Sequence, residues 1–97
     1  MKNIRDLPVP EAVAADARAV EVFRAWVAGG GLICAVRPTA WKDSIAWGIV
    51  LADAARHVAN AISDQSGDEP SATVTKIREM FDRELDKPTD EPTGVFV

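Results

Sequence analysis

The sequence predicts an α+β domain in which an antiparallel β-hairpin, or a sheet of three or more strands built on it, packs against two helices. A glycine triplet at residues 29–31 separates two runs of strand-favouring residues. Apolar residues recur at three- and four-residue spacing over residues 44–63 and again over residues 71–86. The chain has 97 residues, of which 47% are hydrophobic and 27% charged, so it suits one domain with one core.

The two ends of the chain are expected to flank this domain. Residues 1–18 form an extended lead-in, because Pro8 and Pro10 fix the backbone φ angle and remove hydrogen-bond donors. A short helical turn after the second proline is an alternative for part of it. Residues 19–87 form the single domain, and residues 88–97 form an acidic, proline-containing tail. The last four residues of the tail either add a short strand or stay unpaired.

Residues 19–37 are predicted to form the hairpin. Glycine reaches the positive φ angles of tight turns, so a two-residue loop at Gly29 and Gly30, or a four-residue loop around them, pairs Val27 with Leu32. A three-residue loop would shift the pairing by one residue and exchange the two faces. We favour the first register because it gathers one uninterrupted apolar face. That face consists of Phe23, Ala25, Val27, Leu32, Cys34 and Val36. The other face carries Val22, Arg24, Trp26, Ile33, Ala35 and Arg37.

Residues 44–63 are predicted to form the central, buried helix. Small and apolar residues occupy most of its circumference, which would let it approach the sheet closely. Asp43 or Ser44 is expected to cap its N-terminus, because a side-chain oxygen there can accept a free backbone N–H. A polar linker is expected at residues 64–70.

Residues 71–86 are predicted to form the second helix. Its apolar residues recur along one stripe, which is typical of an amphipathic helix. Ser71 follows a proline and is expected to be the N-cap. Pro88 is expected to end the helix, because the residue before a proline is disfavoured in the helical conformation.

Charge and cysteine content exclude several classes of function. The net charge is −4, and no cluster of Lys and Arg occurs, so we expect neither a nucleic-acid partner nor an acidic membrane surface. Cys34 is the single cysteine, so an intramolecular disulfide and a multi-cysteine zinc site are excluded, which fits a reducing cytoplasm. The basic N-terminus is not followed by an apolar run, so it is not a secretory signal.

Two further patterns have simpler explanations than catalysis. The glycine triplet leads into a strand and lacks the Gly-Lys-Ser/Thr of a phosphate-binding loop, so we interpret it as a turn. Cys34 and His57 could form a thiol–imidazole pair, but a mid-strand cysteine on an apolar face is expected to be buried and inert. His57 is the single histidine, and catalytic zinc normally takes three protein ligands, so neither a metal nor another cofactor is expected.

A longer pattern links the hairpin to the first helix. After the tryptophan of the first strand and the glycine turn come Arg37-Pro38-x-x-Trp41 and Trp47-Gly48-Ile49-x-Leu51-Ala52-Asp53-x-x-Arg56-His57. Further on come Ile77-Arg78-x-x-Phe81-Asp82-x-Glu84 and Pro88-Thr89-Asp90. This pattern, over roughly residues 20–94, resembles a family of small bacterial proteins known as a domain of unknown function. The resemblance implies a small cytoplasmic bacterial α+β protein, and it supplies no activity, cofactor or catalytic residue.

The leading functional hypothesis is a non-enzymatic interaction or accessory protein that forms a homodimer or binds a protein partner. Tryptophan and arginine are over-represented among binding hot spots, and a sheet covered on one side leaves its second face bare. The expected contacts are Arg24, Trp26 and Arg37 on that face, with Trp41 in the following loop.

The alternative is a small-ligand or catalytic pocket on the first helix. Residues three and four apart on a helix share a face, and a carboxylate near a histidine is a common acid–base pair. The four candidates with this spacing are Asp53, Arg56, His57 and Asn60. The simpler interpretation of the same four residues is a solvated polar stripe, since the polar side of an amphipathic helix usually faces water.

Overall fold

The computed structural model describes residues 5–97, so the first four residues of the predicted lead-in lie outside the described part. A one-turn helix, α1 (Glu11–Ala14), precedes the hairpin strands β1 (Phe23–Ala28) and β2 (Gly31–Val36). A 3₁₀ turn (Pro38–Ala40) leads to the long helices α2 (Ile45–Ser66) and α3 (Pro70–Asp86), and strand β3 (Thr93–Phe96) follows. The predicted α+β class is confirmed, with a sheet of three strands.

The three strands form one mixed sheet with β2 in the centre. Strand β1 pairs antiparallel with β2, and β3 pairs parallel with β2. Parallel neighbours need a long crossover connection, and the α2–α3 helical pair supplies it. Of the two alternatives for the end of the tail, a short strand or an unpaired segment, the structure has the strand.

The hairpin has the predicted register. Val27 pairs with Leu32 and Phe23 pairs with Val36, as expected for a two-residue loop. Gly29 and Gly30 have φ angles of 59° and 80°, and two consecutive positive φ angles are the requirement of a type I′ turn. The alternation of side chains and the turn chemistry thus specify the same pairing.

Strand β3 depends on a glycine at its closest approach to β2. Gly94 is paired with Cys34 and has a φ angle of 139°. A Cβ atom built on Gly94 would overlap the carbonyl oxygen of Cys34 and would lie 2.8 Å from its carbonyl carbon and its backbone nitrogen. Only glycine fits at this position, because both the φ angle and the space exclude a side chain.

Helix α2 is longer than predicted. It continues to Ser66, and Gly67 then donates its backbone N–H to the Ser63 carbonyl oxygen at 2.8 Å. The predicted linker shrinks to residues 67–69 as a result. At the other end Ser44 is the N-cap residue, but its side chain makes no capping hydrogen bond. The Asp43 carboxylate supplies one instead, since it accepts the Ile45 backbone N–H at 2.9 Å.

Helix α3 begins one residue earlier than predicted. Pro70 occupies the first helical position, which suits proline because its missing N–H is not needed there. Glu69 is the N-cap residue, and the prediction of Ser71 as the cap is wrong. Ser71 lies inside the helix, where its carbonyl oxygen accepts the Thr75 hydroxyl at 3.0 Å.

The prediction that the first helix is the central buried helix of the core is wrong, because most residues of α2 are exposed in the single chain. Among residues 5–97 only Ala59 is buried, and it lies in α2. The extensive contacts between elements are those of β1 with β2, β2 with β3, and α2 with α3. The sheet and the helical pair therefore form two packing units.

The open packing leaves an unusually large surface. The accessible area is 8772 Å², whereas a folded monomer of 10.4 kDa is expected to expose about 5,400 Å². The radius of gyration is 15.2 Å, compared with about 12.5 Å for a compact domain of this length. Residues 5–21, which are all exposed, contribute to this surface, and so do the exposed residues of the sheet and the helices.

Candidate functional site

The first candidate surface is the apolar sheet face. Residues paired across a sheet point to the same side, so β3 extends the predicted hairpin face. The face consists of Phe23, Ala25, Val27, Leu32, Cys34, Val36, Gly94 and Phe96. It carries no charged or hydrogen-bonding side chain apart from the Cys34 thiol, yet Val27 is 84% exposed and Phe96 is 78% exposed. Large exposed apolar surfaces are typical of interaction sites, which makes this face a candidate.

The sequence predicted the hairpin part of this face but assigned it to the core. It also left open whether Gly94 and Phe96 would join the sheet. Their only local signal was the short strand-like end of the tail, which cannot indicate a partner strand almost sixty residues away.

The opposite sheet face carries three of the predicted interaction residues. Arg24 Nε donates to Glu21 Oε2 at 2.8 Å, and its guanidinium carbon lies 5.5 Å from the centroid of the Trp26 ring. Arg37 Nε donates to the Glu21 carbonyl oxygen at 3.5 Å. Glu21 thus joins Arg24 and Arg37, and Trp26 remains 42% exposed. This cluster is ordered by weak, solvent-screened contacts rather than by burial.

The fourth predicted interaction residue has a different neighbour. The Trp41 and Trp47 rings meet edge-on, with centroids 5.4 Å apart and an interplanar angle of 85°. Trp41 therefore packs against the first turn of α2. Within residues 5–97, no ring stacking or cation–π contact joins Trp41 to the Arg24–Trp26 cluster.

The four residues of the alternative pocket lie along α2 and are all exposed. Within the described part of the chain, Asp53, His57 and Asn60 make no side-chain hydrogen bond or ion pair. The structure brings only Arg56 into a concavity. The other three match the simpler interpretation of a polar stripe facing water.

Arg56 lies at the edge of a groove between α2 and α3 of about 420 Å³. The groove is apolar apart from Arg56, Arg78 and Asp82. Its apolar lining comprises Gly48, Leu51, Ala52, Ala55, Val74, Ile77 and Phe81. Its volume is in the range of small-molecule sites. The guanidinium groups of Arg56 and Arg78 form no ion pair among the described residues. The groove therefore places two positive charges and the Asp82 carboxylate next to its apolar lining.

A second exposed apolar surface lies on α2 itself, and we call it the helix stripe. It consists of Leu51, Ala54, Val58, Ala61 and Ile62. These residues share one side of the helix at three- and four-residue spacing. The sequence predicted them as part of the buried circumference, but all five are exposed, and Val58 is 47% exposed.

A metal centre and a membrane-spanning helix are two other kinds of site that residues 5–97 do not form. No group of three or more His, Cys, Asp or Glu side chains in this part of the chain is placed to hold a metal ion. None of its helices is both long and apolar enough to cross a membrane.

Comparisons with known proteins identify a family and several solved chains that this chain is similar to. Residues 6–89 match the family model described as "Domain of unknown function (DUF5076)". A solved structure described as "a putative pyruvate dehydrogenase from the photosynthetic bacterium Rhodopseudomonas palustrus" is 38% identical in sequence, with a TM-score of 0.73. The match covers 96% of this chain and 95% of that chain. No curated protein matches significantly.

Proposed function

This chain belongs to the family described as Domain of unknown function (DUF5076), and on that premise we propose that it is a non-enzymatic interaction protein of the bacterial cytoplasm that self-associates. The bacterial source of its solved relative and the single cysteine support the location. The family description itself supplies no activity, so the argument for function rests on the surface of the molecule.

The excess accessible area supports self-association most directly. The chain exposes about 3,400 Å² more than a compact monomer of its mass. Obligate homodimers bury about 2,000–5,000 Å² in total, of which half comes from each copy. The excess is therefore large enough to supply one copy's share of such an interface.

The apolar sheet face is the part of this surface that most needs a partner. Burial of apolar area is favourable by roughly 25 cal/mol per Å². With both faces in water, this three-stranded sheet gains little of that free energy, because nothing in the described part of the chain packs against its apolar face. A second copy that covers the face would supply the missing burial.

The Arg24–Trp26 cluster and Arg37 lie on the other face of the sheet. An arginine beside an exposed tryptophan is typical of the polar rim of an interface. The same pair would also contact a protein partner that binds beside the dimer. Trp41, which packs on Trp47, would contribute only if that partner also reached the start of α2.

Sedimentation equilibrium tests the proposal on the unmodified protein. We expect a mass about twice the 10.4 kDa of the chain at micromolar concentration, with no monomer at the upper end of the range. A strict 10.4 kDa species over the whole range would overturn the proposal.

The groove between α2 and α3 favours a second candidate function, the binding of a small apolar carboxylate. Its apolar floor would hold a hydrocarbon body, and the guanidinium groups of Arg56 and Arg78 suit a carboxylate. The name of the solved relative adds pyruvate, itself a carboxylate, as a molecule worth testing.

Titration calorimetry with decanoate and with pyruvate tests this second candidate. If the groove binds either molecule, Arg56→Gln should weaken binding about tenfold, because a charged hydrogen bond is lost. Arg83→Gln is the matched control, since Arg83 lies on α3 but does not line the groove. Equal affinities for the two variants, or no binding to the unmodified protein, would count against the groove as a ligand site.

A further inference from the structure

We infer that the apolar sheet face of one copy is covered by the helix stripe of a second copy, in a reciprocal dimer. This inference rests on the proposed self-association and specifies which two surfaces meet. One chain exposes two apolar surfaces that its own elements do not cover. Among residues 5–97, no helix packs on the apolar sheet face, and no sheet packs on the helix stripe.

The two surfaces are complementary in chemistry. The apolar sheet face has no charged side chain, and neither has the helix stripe. The charged residues of α2 lie away from the stripe, at Asp53, Arg56 and Asp64. Contact between the two surfaces would bury no unpaired charge, which is the main cost that a poorly matched interface incurs.

They also match in length. The helix stripe runs from Leu51 to Ile62, which spans about 16 Å at 1.5 Å per residue. Strands β1 and β2 have six residues each and span about 16–17 Å. A helix is about 10 Å wide, which is the separation of the outer strands of a three-stranded sheet.

A second copy is favoured over an unrelated partner because one contact type satisfies both surfaces. In a two-fold dimer the sheet of each copy meets the helix of the other, so the contact occurs twice and the assembly closes. The two contacts together would bury part of the excess area of both chains. Two other dimers are conceivable, in which sheet meets sheet or the stripes pair, and they are outcomes of the test below.

A charge-exchange experiment distinguishes these arrangements. Val27→Asp places a carboxylate on the sheet face, and Val58→Lys places an ammonium group on the helix stripe. Each variant alone should be monomeric in sedimentation equilibrium, because each homodimer would bury two unpaired charges. An equimolar mixture should form heterodimers, since these contain one unaltered contact and one contact in which Asp faces Lys.

Asn60→Lys is the matched control. It adds the same charge two residues further along α2, on the opposite side of the helix, where Asn60 is exposed. This variant should remain dimeric. Far-UV circular dichroism checks that each variant is helical, and Ala61→Lys, at an exposed stripe residue that does not line the groove, replaces Val58→Lys if the latter fails to fold.

The outcomes separate this inference from the proposed function. If Val58→Lys and Ala61→Lys stay dimeric while Val27→Asp is monomeric, the protein self-associates but sheet meets sheet, and the inference is wrong. If Val27→Asp stays dimeric while Val58→Lys is monomeric, the stripes pair with each other, and the inference is also wrong. If both surfaces matter but the mixture stays monomeric, they do not meet each other, and the inference is again wrong. A monomeric unmodified protein would reject the proposed function as well.

Discussion

Val27→Asp is expected to convert the protein from a dimer to a monomer. The side chain is 84% exposed in the single chain, so the folded monomer can hydrate the new carboxylate at almost no cost. In a dimer the same carboxylate would lie in an apolar interface, and an unpaired buried charge costs several kcal/mol. We therefore expect the dimer dissociation constant to rise at least about 100-fold.

Val20→Asp is the control for this prediction. It makes the same chemical change at another exposed valine, located before β1 and outside the apolar sheet face. Sedimentation of both variants over the same concentration range measures the difference. If Val27→Asp dimerises as tightly as Val20→Asp, the sheet face is not the interface.

Gly94→Ala is expected to detach β3 from the sheet. A methyl group there would overlap the Cys34 carbonyl, and alanine at a φ angle of 139° is itself strained by about 1–3 kcal/mol. The chain end can relieve both the overlap and the strain by leaving the sheet, so the variant loses no more stability than the pairing of β3 with β2 supplies. We expect the free energy of unfolding in urea to fall by about 2–3 kcal/mol.

Amide hydrogen exchange localises this effect. The Val97 backbone N–H donates to the Val36 carbonyl oxygen at 3.1 Å, and it should lose its protection in Gly94→Ala while the β1–β2 pairs keep theirs. Gly31→Ala is the control, because Gly31 is a strand glycine with open space and an ordinary φ angle. Protection of Val97 in Gly94→Ala would contradict the steric argument. Because Phe96 leaves with β3, the same variant should also dimerise less tightly.

The hairpin shows how far local pattern can predict structure. Two local patterns predicted the pairing of Val27 with Leu32. Two adjacent glycines suit the positive φ angles of a two-residue turn, and only one register keeps the alternating apolar residues on a single face. The two helices were predicted for the same kind of reason, since the spacing of apolar residues is a property of neighbouring positions.

The errors at the helix ends have equally local causes. Ser71 has the chemistry of an N-cap, but Pro70 before it is better suited to the first helical turn and moves the start by one residue. The polar residues 64–66 continue α2 because nothing before Gly67 breaks the backbone hydrogen-bond pattern.

The candidate site was less predictable than the fold. The sequence identified the apolar hairpin face and the apolar α2 residues, but assigned both to the core of one chain. It grouped Arg56 with Asp53, His57 and Asn60, whereas the structure places Arg56 beside Arg78 on the next helix. Helical spacing shows which residues share a side, and it does not show which side meets another helix.

The sequence by itself therefore determined the two hairpin strands and their register, the two long helices, and the apolar surfaces of the hairpin and of α2. The tertiary structure alone decided that β3 joins β2 in parallel, that α2 packs on α3, and that the sheet face stays open. The physical reason is that the hydrophobic effect has no direction: an apolar stripe gains the same free energy against its own chain or against a second copy. Periodicity therefore predicts that a surface will be buried, and only the three-dimensional arrangement shows that its own chain leaves it uncovered.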